Sequence, residues 1–432
     1  MEDIKVISKK VMEAFEREGI NKANFTVIEK ETQEFNVENG EFSLFRTLFD
    51  KNLSITVYKD QKKGQISTNR IDEEAIDAAV KGALNSAESG IADEAYDIAA
   101  KQENEVFHQG VYEPELERLF DRAQEFLQDI KERHPLVSVM LMVVSHEKCH
   151  KIYQNTNGTE YEVFGGAYNI MLEFSGNDGK KTTSFIATTF KTADLDRPFI
   201  EVGTVDMQLA CAEAQLNTIE FGEKFEGEII LTPECLGEFM YAICVNFLHD
   251  HVILDQTSIW LNKIGQKVAD ERISLAVNPS DDRIVEGECY TQDGFKSEDY
   301  ELIKDGILQS FMTSLYISNK TGVERAKNSS FSLIMRGGDV PYADMVKQMK
   351  KGLIVGGFSG GQPSTNGEFS GVAKNSFLVE DGKIIGAVTE TMINGNLAEL
   401  INHVVAISKE TVANGDYVLP YLAASGILIS GK

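Results

Sequence analysis

Asn-Gly and Asp-Gly pairs punctuate the chain nine times, at Asn39, Asn157, Asp178, Asp293, Asp305, Asn366, Asp381, Asn394 and Asn414, each followed by glycine. Both residues of such a pair enter positive φ easily, and that geometry suits a tight turn between antiparallel strands. Six of the nine lie beyond residue 290, so the last third of the chain is expected to be mostly antiparallel sheet. Parallel strands need long crossovers that these turns do not supply, which argues against a doubly wound fold. Helical periodicity is confined to a few stretches. Ile4, Ile7, Val11 and Phe15 form a stripe that Gly19 ends, and a second helix follows a capping Asp72 with Ile76, Val80 and Leu84 on one face. A third opens at Pro114 with Leu116, Leu119, Phe120, Ala123, Phe126 and Leu127 inward, a fourth spans about Asp206 to Leu216, and a fifth runs from Pro233 to about Leu248. Strands joined by hairpins with few helices give the class α+β.

A chain of 432 residues is expected to form two or three domains. A polar, glycine-punctuated link, Phe221 to Gly227, and an aperiodic acidic stretch, Ala92 to Tyr112, divide it into segments 1–100, 101–221 and 222–432. Its 68 acidic and 42 basic residues leave a net charge of −26. Neither a basic run nor basic residues interleaved with aromatics appears, so direct binding to nucleic acid or to anionic membrane is not expected. The acidic start and the absence of an apolar run longer than Phe239 to Val245 lead to an expected cytoplasmic location. Five scattered cysteines without a Cys-x-x-Cys pair argue against a disulfide framework. Cys235 and Cys244 share the fifth helix on opposite faces, so they cannot hold a metal together.

Three strings suggest peptidase chemistry. His146-Glu-Lys-Cys-His150 matches H-E-x-x-H, in which two histidines one helical turn apart bind zinc and Glu147 would serve as base. It follows the β-rich run Val137 to Val144 and precedes the turn Asn157-Gly158, so it reads as a polar hairpin tip. An autonomous zinc peptidase using His146, Glu147 and His150 stands as the alternative. Gly357 to Gly361 matches G-x-S-x-G, followed by Asp381 and His403, but the residues after it lack the helix that a nucleophile elbow requires. The glycine-rich stretch Gly352 to Gly371 lacks a P-loop ending and is expected to be a long loop, either mobile or lining a groove. Within it Gly360, Gly361, Asn366, Gly367, Glu368 and Ser370 are candidate substrate contacts. His249-Asp-His251 reads as a polar patch past the fifth helix, and His108 and His134 sit in polar surroundings that suggest no role.

Several segments in order resemble the TldD/PmbA family, also named for modulation of DNA gyrase. They are Val37-Glu-Asn-Gly-Glu41, Gly64 to Asn69 with the helix after Asp72, Asn155 to Gly158, Ile303 to Leu308, and Phe377 to Ile384 leading into Ile393 to Leu397. The resemblance implies an N-terminal α/β part with mixed sheet and a larger, mainly antiparallel β-rich C-terminal domain crossed by a helix. It also implies a dimer whose internal cleft receives peptides or unfolded segments. In the metal-binding members, the helix after the strand matching Ile229 to Leu231 carries H-E-x-x-x-H, and a C-terminal cysteine adds a ligand. Those helix positions fall here at Tyr241, Ala242 and Asn246, and no cysteine follows Cys289. The resemblance is therefore to the PmbA (TldE) side, which holds no metal and pairs with a zinc-bearing TldD-type subunit. A second copy of the chain, forming a homodimeric peptide-binding protein without catalysis, is the other expectation.

Overall fold

The structure, a computed structural model, describes residues 3–389 and 391–431. The first half comprises α1 (Ile4–Arg17), β1 (Ala23–Glu38), β2 (Glu41–Lys59), β3 (Lys62–Thr68), α2 (Glu73–Ser89), β4 (Glu105–Gly110), α3 (Leu116–Arg133), β5 (Val137–Asn155), β6 (Glu160–Gly176), β7 (Ile186–Thr192) and α4 (Val205–Ala214). The seven strands make one sheet in the order β3-β2-β1-β5-β6-β4, with β7 also on β6. All its pairings are antiparallel except β4 with β6, so the sheet is mixed. The far edge of β6 is shared: β4 takes Tyr161 to Gly166 and β7 takes Tyr168 to Phe174.

The four helices all cover one face of this sheet. The stripe Ile4, Ile7, Val11 and Phe15 of α1 packs with Ile76 and Val80 of α2 on Phe25, Val27, Leu53, Ile55 and Ile152. Farther along the same face, Leu119 and Phe126 of α3 and Leu209 of α4 pack on Val37, Met142, Val144 and Ile170. Burying each such side chain contributes roughly 1.5–3 kcal/mol. Asp72 caps α2 as expected, its carboxylate accepting from the Ala75 amide at 3.0 Å. The fourth helix is shorter than its periodicity suggests, because a 3-10 turn, Gln215–Asn217, closes it.

The opposite face of the sheet is polar. Glu147, Cys149 and Lys151 of β5 meet the segment around Glu286 and Gly287 there, and Gln109 Nε2 donates to the Gly287 carbonyl at 2.7 Å.

The second half, from β8 (Lys224–Leu231) onward, forms a thirteen-stranded, mainly antiparallel sheet among the described residues. β8 lies between strand 418–430, antiparallel, and strand 351–355, parallel. α5 (Pro233–Ile243) crosses this sheet, with Cys235, Leu236, Phe239, Met240 and Ile243 in a core that includes Trp260, Leu353 and Leu422. The two sheets and their few helices make the α+β class.

The dipeptide turns fall where expected, with one exception. At Asn39-Gly40, φ values of 52° and 80° give the doubly left-handed turn that joins β1 to β2. Asn394-Gly395 instead lies inside strand 391–396, opposite Ser370 and Phe369. A Cβ at residue 395 would stand 2.8 Å from the Phe369 ring. Here glycine serves close packing of a ring against the strand, not a turn.

Two further expectations are corrected. The string His146 to His150 is not a hairpin tip but the interior of the 19-residue β5, paired on both sides by β1 and β6. Ladder hydrogen bonds along both edges keep a polar stretch extended, and the local sequence does not register them. The glycine-rich stretch is mostly strand as well, 351–355, 357–360 and 368–374, leaving Gly356 as a one-residue break and 361–367 as loop. Gly352 permits a tight strand pair, since a Cβ there would lie 2.0 Å from the Glu228 carbonyl oxygen.

Candidate functional site

β8 ends at Leu231, and Thr232 turns the chain into α5, its hydroxyl accepting from the Cys235 amide with Pro233 in the first turn. The apolar stripe of α5 faces the core. Its other face carries Glu234, Glu238, Tyr241 and Ala242, each one turn or less from the next. Glu234 and Glu238 line a cleft of ≈ 790 Å³ between the two halves of the molecule. Its other walls are β7, α4, Gly357 and Phe358, and the Asn414 to Tyr417 turn.

The cleft is acidic at its base. The Glu234 carboxylate accepts from the Thr204 hydroxyl and from Gln208 Nε2 at 3.4 Å. Crowding by the walls pushes the Glu238 carboxyl upward from the usual carboxylate range, although one side stays open to the cleft, and the Phe358 amide that donates to it opposes the shift. Burial, helped by the negative charge of Glu234 and the neighbouring acids, also raises the Tyr417 phenol. The Cys211 thiol is pushed up to about 12 by burial and by Glu234, so it stays protonated at neutral pH and is not a thiolate nucleophile.

The edge of β7 away from β6, which has no strand partner among the described residues, forms another wall. The Lys191 amide donates to the Asn414 carbonyl at 2.7 Å, directed away from β6. Residues of the same parity in an antiparallel strand point their backbone groups the same way, so Ala187 and Thr189 turn theirs toward the cleft. Both are cleft-lining residues.

The zinc that the family resemblance implies does not fit this chain. Tyr241 is 54% exposed and lies against the Phe331 ring, 4.9 Å between centroids. Ala242 offers no donor atom, and Asn246 Nδ2 donates to the Ala242 carbonyl at 2.9 Å. Beyond Ile243 the helix loosens into a π turn, Cys244–Leu248. Phenol, methyl and amide do not make a zinc set. Among the described residues, no three His, Cys, Asp or Glu side chains come together to hold a metal ion.

The other sequence candidates are dispersed. His146 and His150 share a face of β5 but have separate partners, the Val111 carbonyl at 2.6 Å and Glu162 at 2.8 Å. Glu147 is on the opposite face, paired with Lys30 at 2.6 Å. Ser359 lies in a strand with no helix after it, Asp381 in a hairpin turn, and His403 beside Glu399 at 3.5 Å. His249 stacks near Phe331 and lies 5.8 Å from His251 between ring centroids. His108 stacks on Phe164, and His134 sits between Asp206 and Glu213.

Gly360 and Gly361 are exposed at the end of strand 357–360, whose Phe358 reaches the cleft. The Asn366 side chain accepts from the Ser364 hydroxyl, and Gly367 is packed against the Phe247 ring. Glu368 and Ser370 are exposed on strand 368–374. Glu234, Glu238, Tyr417 and the β7 edge were not singled out in the sequence. The available signal was two acids four residues apart on the polar face of an otherwise apolar helix.

Comparison with known proteins gives the architecture its relatives. The model described as the PmbA/TldA metallopeptidase C-terminal domain matches residues 225–431, and that of PmbA/TldA metallopeptidase domain 1 matches residues 27–87. The chain belongs to the PmbA/TldD family. Metalloprotease PmbA of Escherichia coli O157:H7 is 23% identical over 93% of this chain and 90% of its own length. The zinc metalloprotease TldD homolog of Saccharolobus solfataricus is 23% identical over 84% and 83%. The chain spans 43% of the length of a metalloprotease of Methanothermobacter thermautotrophicus, at 25% identity. Crystalline TldE from Thermococcus kodakarensis has the same PmbA/TldD-family fold, with a TM-score of 0.85 at 20% identity, covering 98% of this chain and 100% of that one. Both the PmbA and the TldD relatives are thus named metalloproteases, the latter a zinc one. No helix among the described residues is long and apolar enough to cross a membrane.

Proposed function

We propose that this chain acts in the proteolysis of peptides or unfolded polypeptides as the non-metal-binding partner of a TldD-type metallopeptidase subunit, in the cytoplasm. The observation that carries this reading is Tyr241 and Ala242 on α5 with Asn246 in the π turn that continues it. By the family resemblance they fall where metal-binding members carry H-E-x-x-x-H, and none can replace its ligand. Zinc chemistry then belongs to the other subunit, and this chain shapes the chamber and holds the substrate.

The cleft suits that task. An extended peptide adds a strand to the Ala187 and Thr189 edge of β7, with affinity from main-chain hydrogen bonds that are indifferent to sequence. Glu234 and Glu238, which make no ion pair with a described residue, favour a basic side chain at the adjacent position. The 361–367 loop, with Gly360, Gly361, Asn366, Gly367, Glu368 and Ser370, is assigned to the substrate-facing rim.

Elemental analysis of the purified chain, alone and with a TldD-type subunit, followed by peptide cleavage on both samples, tests the reading. The chain alone is expected to carry no stoichiometric zinc and to cleave nothing, and the pair to cleave. One zinc per chain, lost on changing His146 or His150, would establish an autonomous zinc peptidase instead.

A further inference from the structure

The edge of β7 that faces the cleft is closed at one end. At Lys191 the Asn414 to Tyr417 turn occupies it: the Lys191 amide donates to the Asn414 carbonyl at 2.7 Å, a Cβ on Gly415 would stand 2.5 Å from the Lys191 carbonyl oxygen, and Lys191 Nζ pairs with Asp416 at 2.9 Å. Thr189 and Ala187, before it, are exposed and turn their N–H and C=O groups to the cleft. Beyond them Phe185 is 64% exposed, so the other end of the groove is open. A strand added to this edge enters past Phe185 and cannot continue along it beyond Thr189. Such a groove holds the end of a chain, not its middle.

The closed end is also the acidic end. The Tyr417 ring of the same turn lies against α5 at Gly237, between the two acids, since a Cβ on Gly237 would come 3.5 Å from it. A Cβ on Gly203 would meet Val412 at 3.5 Å, and Thr204, next in the chain, donates its hydroxyl to Glu234. Gln208 Nε2 ties Glu234 to β7 itself, reaching the Thr188 hydroxyl at 3.2 Å and the carboxylate at 3.4 Å. Neither Glu234 nor Glu238 pairs with a cation among the described residues. Lys191 is engaged by Asp416, and Lys374, which also lines the cleft, stands on strand 368–374 opposite Gly357.

We infer that the cleft receives the free amino end of a polypeptide, with its α-ammonium at Glu234 and its first residues paired antiparallel with β7. This rests on the strand addition proposed above and adds an end and a direction to it. β7 runs toward the closed end, so a chain that begins there runs against it, and antiparallel pairing is the more stable kind. The first residue exchanges two hydrogen bonds with Thr189, its ammonium donating to the Thr189 carbonyl as well as to Glu234, and the third exchanges two with Ala187, about four backbone bonds in all. A carboxyl end in the same place would set a third carboxylate against Glu234 and Glu238, and like charges in a partly enclosed site repel. Every unblocked chain presents an α-ammonium whatever its sequence, so the capture does not depend on a particular side chain.

Fluorescence polarisation on the purified full chain tests this with one extended peptide that has no basic side chain and is labelled at its carboxyl end, its amino end either free or acetylated. The free peptide is expected to bind, and acetylation to raise its Kd about tenfold, because it removes the charge and two of the three ammonium donors. Glu234→Gln should weaken the free peptide by a similar factor and leave the acetylated one unchanged. Thr189→Pro, which removes an edge donor and is tolerated on an unpaired edge, should abolish capture of both with an unchanged circular dichroism spectrum, whereas Thr189→Ala, which keeps the amide, should bind as the wild type does. Equal binding of the free and acetylated peptides, or a ratio that Glu234→Gln leaves intact, overturns the inference while strand addition stands. Binding that survives Thr189→Pro, or no binding of either peptide by the wild type, overturns strand addition itself and the inference with it.

Discussion

Phe239 is the side chain that ties the cleft to the fold. It is 3% exposed on the buried face of α5, with the Phe358 ring at 5.4 Å and the Phe369 ring at 5.1 Å, both edge-on. Phe358 also provides the amide that holds Glu238. Phe239→Ala removes a buried ring and leaves a cavity between a helix and two strands that cannot easily collapse onto it, a loss of about 3–5 kcal/mol. The two edge-to-face contacts place the effect toward the upper part of that range. In a C-terminal unit of this size the melting midpoint should fall by about 10 °C. Calorimetry and urea titration of the wild type, Phe239→Ala and Phe239→Leu would measure it, with leucine recovering most of the loss. A cycle pairing Phe239→Ala with Phe369→Ala should show a coupling of about 1 kcal/mol. A loss under about 1 kcal/mol for Phe239→Ala would refute the argument that this ring anchors α5.

Two predictions concern protonation. The His146 ring is buried, and burial, assisted by Lys148, holds its pKa below the usual value although the Val111 carbonyl opposes the shift. The unfolded chain therefore binds the proton more readily, and the stability this ring contributes is complete above its ordinary pKa of about 6.5 and is lost as the pH falls below it. Replacing His146 with Gln should flatten that part of the stability profile measured by urea titration across the acid range, and an unchanged slope would exclude the ring as its source. Glu238 behaves in the opposite sense: its raised carboxyl pKa means that stability is lost as the pH rises above the ordinary glutamate value. Glu238→Gln should remove that loss at neutral pH and weaken capture of a lysine-containing peptide more than of its neutral counterpart, as read by fluorescence polarisation. Equal weakening of both peptides would show that the carboxylate does not select for charge.

Local signals carried much of the fold. The stripes of α1 and α2, the cap at Asp72 and the turn at Asn39-Gly40 depend on residues near one another in the chain, so their physics is complete within a short window. The same signals misled where distant partners decided the outcome. His146 to His150 looks like a turn when its neighbours alone are considered, yet β1 and β6 pair it on both edges. Asn394-Gly395 has turn chemistry, but Phe369 uses the glycine for its lack of a side chain.

That Tyr241, Ala242 and Asn246 cannot make a zinc set was determined by the sequence alone, because a phenol, a methyl and an amide fail as such a set in any fold. So was the excess of negative charge, which follows from counting. The acidic cleft was decided only by the tertiary structure. Glu234 and Glu238 are adjacent on α5, but β7, Phe358 and Tyr417 come from segments far apart in the chain, and only their packing brings the two carboxylates into one cleft. The extent of the β2 pairing was decided the same way: how far a strand is paired depends on where its neighbour stops, and β3 stops at Thr68.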